Sequence, residues 1–193
     1  MGTFYNLCSL MIKGGESELE KDVLLAQKGD KEAFTRLIED CQLTLYRVSL
    51  GILKDDTDCA DAIQETILKS YHSIINLKQP KYFKTWLTRI LINECNDILR
   101  KRKKIILLDS VDDIGNIEEH KEEHIDLKLA LSKLECNHRT VLILFYYEEF
   151  SIKEIAQILK IREGTVKSRL NRARHKLSSL LNLYKDERGV ENE

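Results

Sequence analysis

The sequence predicts an all-α fold in which two small helical domains are joined by an acidic linker, and three observations support this. The 193 residues include one Pro and eight Gly, so few residues interrupt helices. Apolar residues recur at the i, i+3, i+4 and i+7 spacing of amphipathic helices. The net charge changes abruptly along the chain, from +6 over residues 81–104 to −7 over 109–126 and +6 over 153–176. Helical domains on either side of a charged connection follow from these facts.

The composition excludes several classes of protein. With 42% hydrophobic and 33% charged residues, the chain is an ordinary globular protein, and no apolar run approaches the ~20 residues that span a bilayer. We therefore predict no stable membrane insertion. The cysteines are widely separated, odd in number and without C-x-x-C spacing: Cys8, Cys41, Cys59, Cys95 and Cys136. This pattern favours a reducing cytoplasm over a disulfide framework or a zinc site.

No metal or cofactor is predicted. His120 and His124 lie four residues apart, a spacing that can bind metal on a helix, but no companion cysteine is present and many acidic residues surround them. The acidic stretch that contains them has Gly115 and Asn116, little periodicity and several turn formers, and is predicted to be a linker. The predicted divisions are a disordered N-terminal extension (1–17), a first domain (18–106), the linker (107–125), a second domain (126–185) and a tail (186–193).

Four helices are predicted in the first domain. The first ends at Gly29, which suits a left-handed cap, and Asp30 caps a second helix that continues to about Leu53. A third helix is predicted over residues 59–75 and a fourth over 82–103, with Pro80 in the loop between them.

The fourth predicted helix ends in five consecutive cations, residues 100–104. Cations at a helix C-terminus complement the helix dipole, but five exceed what the dipole requires, so contact with nucleic acid is favoured. The same helix carries Trp86, which is predicted mainly to pack.

The second domain contains a predicted helix-turn-helix. Ser151 and Glu154 have the spacing of a capping box, and residues 159–161 form the turn. A second helix has the inward stripe Val166, Leu170, Ala173 and Leu177, while its cations point outward. This design suits a helix that reads DNA, because one face packs and the other presents donors. The alternative is a helical hairpin with a solvated basic face.

Three separated segments together resemble bacterial RNA polymerase sigma factors of the extracytoplasmic-function group. They are residues 58–66, with Gln64 and Glu65; residues 83–93, with Trp86 and Asn93; and residues 154–174, with Gly164, Thr165 and Val166 near the start of the second helix. The resemblance covers residues 19–184 and implies a factor that binds core RNA polymerase, recognises promoters with two elements and helps to melt them by capturing a flipped base.

The resemblance also implies roles for individual residues. Contact with the polymerase is implied for Asp58, Asp61, Gln64, Glu65 and Lys69, although a merely solvated acidic face is the alternative from the residues alone. Contact with the minus-ten element, as a melted single strand, is implied for Arg89, Asn93, Asp97, Arg100, Lys101 and Lys103. Contact with the double-stranded minus-thirty-five element is implied for Arg162, Thr165, Lys167, Ser168, Arg169, Asn171 and Arg172.

Two further expectations follow from the resemblance. Proteins of this group are commonly held inactive by an anti-sigma factor until a stress releases them, so such a partner is expected here. The acidic linker either threads near the polymerase active site or is a plain tether.

The competing function is a stand-alone helix-turn-helix regulator, which requires a sensor or dimerisation domain in the first half. No enzyme is predicted, since the sequence has no clustered carboxylates, nucleophile or phosphate-binding Gly loop.

Overall fold

In the computed structural model, residues 18–108 and 125–189 are described, and all their regular structure is helical. The predicted all-α class is thereby confirmed. The extension 1–17, most of the linker with both its histidines, and the last four residues lie outside the described residues. No helix in the described ranges is both long and apolar enough to cross a membrane. The α-helices are α1 (18–27), α2 (Lys31–Leu53), α3 (Asp56–Ser73), α4 (Phe83–Leu108), α5 (Ile125–Lys133), α6 (Cys136–Leu142), α7 (Ile152–Leu159) and α8 (Glu163–Gly189).

The helices of the first half begin and end at residues suited to capping. Asp30 accepts a hydrogen bond from the Ala33 amide at 3.0 Å, and Gly29 has a φ of +95°. The Asp55 carboxylate accepts from the Asp58 amide at 2.8 Å, so α3 begins three residues earlier than the sequence predicts. Helix α4 continues to Leu108 rather than ending near residue 103, because no Gly or Pro follows the cations.

Helices α2, α3 and α4 pack against one another around an apolar core. Its largest fully buried side chains include Leu37, Leu45, Phe83, Leu87 and Leu91. Full burial of each such side chain contributes about 1.5–3 kcal/mol, so packing, rather than the intrinsic preference of the sequence for helix, holds these helices together.

The predicted helix-turn-helix is confirmed as helices α7 and α8. Ser151 accepts a hydrogen bond from the Glu154 amide at 3.2 Å, and Glu154 accepts one from the Ser151 amide at 2.9 Å, which completes the capping box. Lys160 occupies the turn with a φ of 53°, a left-handed conformation that glycine adopts more easily. On α8, Val166, Leu170 and Ala173 are buried as the spacing predicts.

The two halves of the chain pack directly against each other. Arg139 of α6 is buried, and its Nε donates to the Gly51 carbonyl near the end of α2. Its Nη1 donates to the carbonyls of Ser132, in the last turn of α5, at 3.1 Å and of Leu134, just after that helix, at 2.7 Å. One guanidinium therefore satisfies carbonyls at the C-terminal ends of two helices that belong to different halves.

Further contacts surround this junction. Lys54 Nζ donates to the Ser132 carbonyl at 2.5 Å, and Glu148 accepts a hydrogen bond from Thr44 at 2.5 Å. Helix α7 packs on α4, and the buried apolar side chains of both halves form one continuous cluster. The contact is close at Gly51, where an added Cβ would lie 2.1 Å from Ile143 Cδ1.

The close approach at Gly51 yields a prediction. Gly51→Leu raises the helix propensity of α2 but cannot fit beside Ile143, so we expect the halves to separate while α2 remains helical. A compact chain of 193 residues has a radius of gyration of about 16 Å. Small-angle X-ray scattering should show a radius several ångströms larger for the variant.

Gly164→Leu is the matched control, because nothing lies within 4 Å of a Cβ at that position. It should leave the radius of gyration unchanged. A wild-type radius for Gly51→Leu would show that this contact does not hold the halves together.

Candidate nucleic-acid interface

The first surface of the interface is the exposed face of α8. Most of the residues predicted to contact the minus-thirty-five element are exposed, and Thr165 is half-buried. The exposed members are Arg162, Lys167, Ser168, Asn171 and Arg172. Ser168 Oγ donates to the Thr165 carbonyl at 3.0 Å, so the hydroxyl oxygen remains available as an acceptor. The α8 face is accessible and basic, as the sequence predicts.

Arg169 has a different environment from the other predicted contacts. It is half-buried and lines a small cavity of about 50 Å³ together with Asn96 of α4 and Ile52 of α2. With the two halves packed together, which is the closed arrangement, the Arg169 side chain faces the first half of the chain. The rotation of α8 about its axis thus separates Arg169 from the exposed residues.

The second surface is a cleft of about 280 Å³ beside the start of α4. Trp86 and Arg89 line it from α4, and Leu77, Lys78, Gln79 and Tyr82 line it from the preceding loop. Gln157 of α7 forms the opposite wall. The cleft has the aromatic and cationic groups that bind unstacked bases, but the helix-turn-helix closes one side of it.

The polar end of α4 combines paired and unpaired cations. Asp97 forms an ion pair with Arg100, and Asn93 is exposed. Arg102 pairs with Asp58 and lies 3.7 Å from Asp55, at the N-terminus of α3. The exposed Lys101 and Lys103 have no ion pair within residues 18–108 and 125–189, so their charges are available to phosphates.

The third surface is the acidic face of α3. Asp61, Gln64 and Glu65 are exposed, whereas Asp58 is half-buried. Lys69 Nζ lies 2.7 Å from a Glu94 carboxylate oxygen and 3.4 Å from one of Glu65. The hydrogen bond to Glu94 raises the pKa of Lys69. Asp61, Gln64, Glu65 and Lys69 are thus exposed on this face, and the charge of Lys69 is paired with Glu94 and Glu65.

Two contacts were not predicted from the sequence: the ion pair of Arg102 with Asp58, and the place of Gln157 in the wall of the cleft. Arg102 belongs by helical spacing to the same stripe as Leu91 and Cys95, which are buried, and this spacing was the available signal. The contribution of Gln157 to the cleft depends on packing between helices about 70 residues apart, for which no local pattern exists.

The fold and these surfaces define an all-helical protein with a helix-turn-helix and an exposed basic face suited to DNA. Residues 37–105 match sigma-70 region 2, and residues 124–177 match sigma-70, region 4. The RNA polymerase sigma factor SigV of Bacillus subtilis is 34% identical over 146 residues, covering 74% of this chain and 87% of SigV. This chain belongs to the sigma-70 family, in its extracytoplasmic-function (ECF) group.

Further relatives agree with this assignment. The ECF RNA polymerase sigma factor SigW of B. subtilis is 30% identical over 184 residues, covering 86% of this chain and 98% of SigW. Among solved structures, the sigma factor RpoE in complex with the anti-sigma factor NepR from Bartonella quintana has a TM-score of 0.70 at 27% identity. It covers 77% of this chain and 96% of RpoE. CnrH in complex with the cytosolic domain of CnrY has a TM-score of 0.65 at 25% identity, covering 86% of this chain and 98% of CnrH.

The cleft beside α4 yields a prediction for fluorescence. Trp86 is the only tryptophan of the sequence, so its emission reports on this cleft alone. A 12-nucleotide single strand of mixed sequence should quench it, because bases stack on aromatic rings. Arg89→Ala should weaken the quenching by removing the cation beside the ring.

Lys31→Ala removes an exposed cation from α2, outside the cleft, and should quench like the wild type. Equal quenching of the wild type and Arg89→Ala would mean that bases do not enter the cleft in the predicted way.

Proposed function

We propose that this chain is an alternative sigma factor that uses the three surfaces described above for three separate tasks. The observation that carries the proposal is their distribution: the cleft and the acidic face lie on the first half, and the basic reading helix lies on the second. We assign residues 18–106 to polymerase and minus-ten binding, and residues 126–185 to the minus-thirty-five element. The factor itself catalyses no reaction, and it acts in the cytoplasm beside the polymerase.

The acidic face of α3 docks on a basic helical surface of core RNA polymerase. Asp61, Gln64 and Glu65 lie at i, i+3 and i+4 on one exposed side of the helix. Lys69 and Asp58 flank them and also hold α3 to α4 through Glu94 and Arg102. Docking is thereby linked mechanically to the helix that binds the minus-ten element.

The cleft beside α4 captures a base during promoter opening. Unstacking a base costs a few kcal/mol, and a pocket that binds the extruded base lowers the free energy of the melted state. Trp86 and Tyr82 offer aromatic surface, and Arg89 lines the same cleft. Asn93 contacts a neighbouring base edge, and Arg100, Lys101 and Lys103 contact the single-strand backbone.

Helix α8 reads the minus-thirty-five element in the major groove. Lys167, Asn171 and Arg172 present donors on its exposed face. The capping box of α7 fixes the helix that precedes it, and so fixes the angle at which α8 enters the groove.

Use of both elements requires the halves to separate. The minus-ten and minus-thirty-five elements are named for their positions on the DNA, which differ by about 25 base pairs. This separation is about 85 Å along the duplex. Helices α4 and α7 are in contact, and packed helices lie about 8–10 Å apart. The closed arrangement is therefore the form that is not bound to a promoter, and Arg169 and Gln157 become accessible when it opens.

An anti-sigma factor is the proposed regulatory partner. The neighbours RpoE and CnrH were solved in complex with NepR and with the cytosolic domain of CnrY. Their likeness to this chain extends over both halves, which supports a regulator that holds both halves together until stress releases it.

The stand-alone regulator is the weaker candidate. It requires a first half devoted to sensing or dimerisation, whereas residues 37–105 match sigma-70 region 2. No observation on the described residues favours that function.

The experiment that tests the function is run-off transcription from a genomic promoter library with purified core polymerase. We expect transcripts that start only when this protein is added, at promoters that share two spaced elements. Co-purification of the protein with core polymerase is the second measurement. If core polymerase stays silent and does not co-purify, the proposed function is wrong and binding to DNA by the free protein becomes the next assay.

Two substitutions test the separation of tasks. Glu65→Ala should lower the affinity for core polymerase about fivefold or more and leave duplex DNA binding unchanged, because it removes one charged contact. Arg172→Ala should leave the affinity for core polymerase unchanged and weaken duplex DNA binding. The loss of a contact to a base edge should reduce the binding free energy by about 1–3 kcal/mol.

Glu39→Ala, on the exposed side of α2, is the control for removal of a surface carboxylate. Both affinities should stay at the wild-type value. A similar loss of both affinities in either test variant would show that the surfaces are not independent.

A further inference from the structure

Arg174 of α8 is held by aromatic groups outside its own helix. Its Nε donates to the Tyr146 hydroxyl oxygen at 2.7 Å. Its Cζ lies 5.5 Å from the ring centroid of Tyr146 and 5.8 Å from that of Phe145. These two rings meet edge to face, with centroids 5.0 Å apart. The guanidinium is thus positioned by one hydrogen bond and two cation–π contacts.

The charge of Arg174 is not neutralised within the described residues, where no carboxylate pairs with it. The residue is exposed, and Tyr146 is 54% exposed. The hydrogen bond uses only Nε, so the four N–H groups on Nη1 and Nη2 remain to bind an acceptor. A planar, positioned and unpaired guanidinium suits a phosphate group, which it can bind with two parallel hydrogen bonds.

The position of Arg174 along α8 indicates which phosphate it meets. Lys167, Asn171 and Arg174 lie at i, i+4 and i+7, so they share one side of the helix. At 1.5 Å per residue, Arg174 is about 10 Å beyond Lys167 along the axis. The major groove is about 12 Å wide. When the start of α8 lies in the groove, Arg174 therefore reaches the backbone at its edge.

We propose that Arg174 binds a DNA phosphate at the edge of the minus-thirty-five groove and that Tyr146 is its positioning residue. The π-helical turn Ile143–Tyr147, which continues α6, presents Tyr146 beside α8 and so connects α6 to DNA binding. The contact is independent of base sequence and fixes the register of α8, whose other side chains read bases. It rests on DNA binding by α8 but not on any interaction with polymerase.

The test measures binding of the full chain to a fluorescein-labelled 20-base-pair duplex of mixed sequence by anisotropy, over 50–200 mM salt. A mixed sequence suffices because a phosphate contact does not depend on the bases. Removal of one phosphate contact should reduce the slope of log K against log salt by about 0.9, and it should weaken binding about eightfold at 0.1 M salt. Arg174→Ala should show both effects.

Tyr146→Phe keeps the ring and deletes the positioning hydroxyl. We expect about a two- to threefold loss of affinity with an unchanged salt slope, because the charge of Arg174 remains. Arg174→Lys should likewise keep the slope and lose part of the affinity. In the Arg174→Ala background, Tyr146→Phe should have no further effect, since the hydroxyl acts only through Arg174.

Lys31→Ala is the control for a change in net charge and should match the wild type. An unchanged slope for Arg174→Ala overturns the proposal. Additive losses in the double variant overturn the positioning role of Tyr146. Each variant is also melted thermally, and a lowered midpoint in Tyr146→Phe with wild-type DNA affinity would assign the pair to stability alone. If the transcription assay fails but Arg174→Ala reduces the salt slope of DNA binding, the proposed function is wrong and this proposal stands.

Discussion

The buried guanidinium of Arg139 is the interaction on which the closed structure depends. It has no carboxylate partner in the described residues and is compensated by carbonyl groups at the ends of α2 and α5. A buried charge is tolerated only when such dipoles replace water. Because the two helices belong to different halves, the same residue completes the fold of the second half and attaches it to the first. The fit of Gly51 beside Ile143, the contact of α4 with α7, and the Gln157 wall of the cleft belong to the same junction between the halves.

The charged side chains of this protein are of two kinds: some form ion pairs that stabilise the fold, and others are exposed and available to bind a partner. Arg102 and Lys69 are engaged with Asp58 and Glu94, and so they join α3 to α4. Lys101 and Lys103, by contrast, point to solvent from the same helix as Arg102. Arg174 is an intermediate case, because its neighbours are aromatic and position it without cancelling its charge. Net charge over a segment therefore measures attraction to DNA only after the engaged groups are discounted.

Local features of the fold could be predicted from sequence, and features that depend on contacts between distant residues could not. Asp30 and Ser151 cap the helices that their spacing predicts, since a cap depends only on residues within one turn. Helix α3 begins three residues before its predicted start, because Asp55 provides the cap. The packing of Gly51 on Ile143 joins residues 92 positions apart, and neither has a local pattern that indicates the other.

The absence of a side chain at Gly51 has a thermodynamic consequence. In the proposed mechanism a promoter binds only the fraction of molecules that is open, so its apparent dissociation constant equals the intrinsic one divided by that fraction. If the closed form is favoured by about 2.8 kcal/mol, about one molecule in a hundred is open and apparent affinity falls about a hundredfold. A ligand that prefers the closed form lowers promoter affinity further without covering a DNA-contacting residue. Under this proposal the fit of Gly51 beside Ile143, as one of the contacts that join the halves, contributes to the concentration at which this factor competes for its promoters.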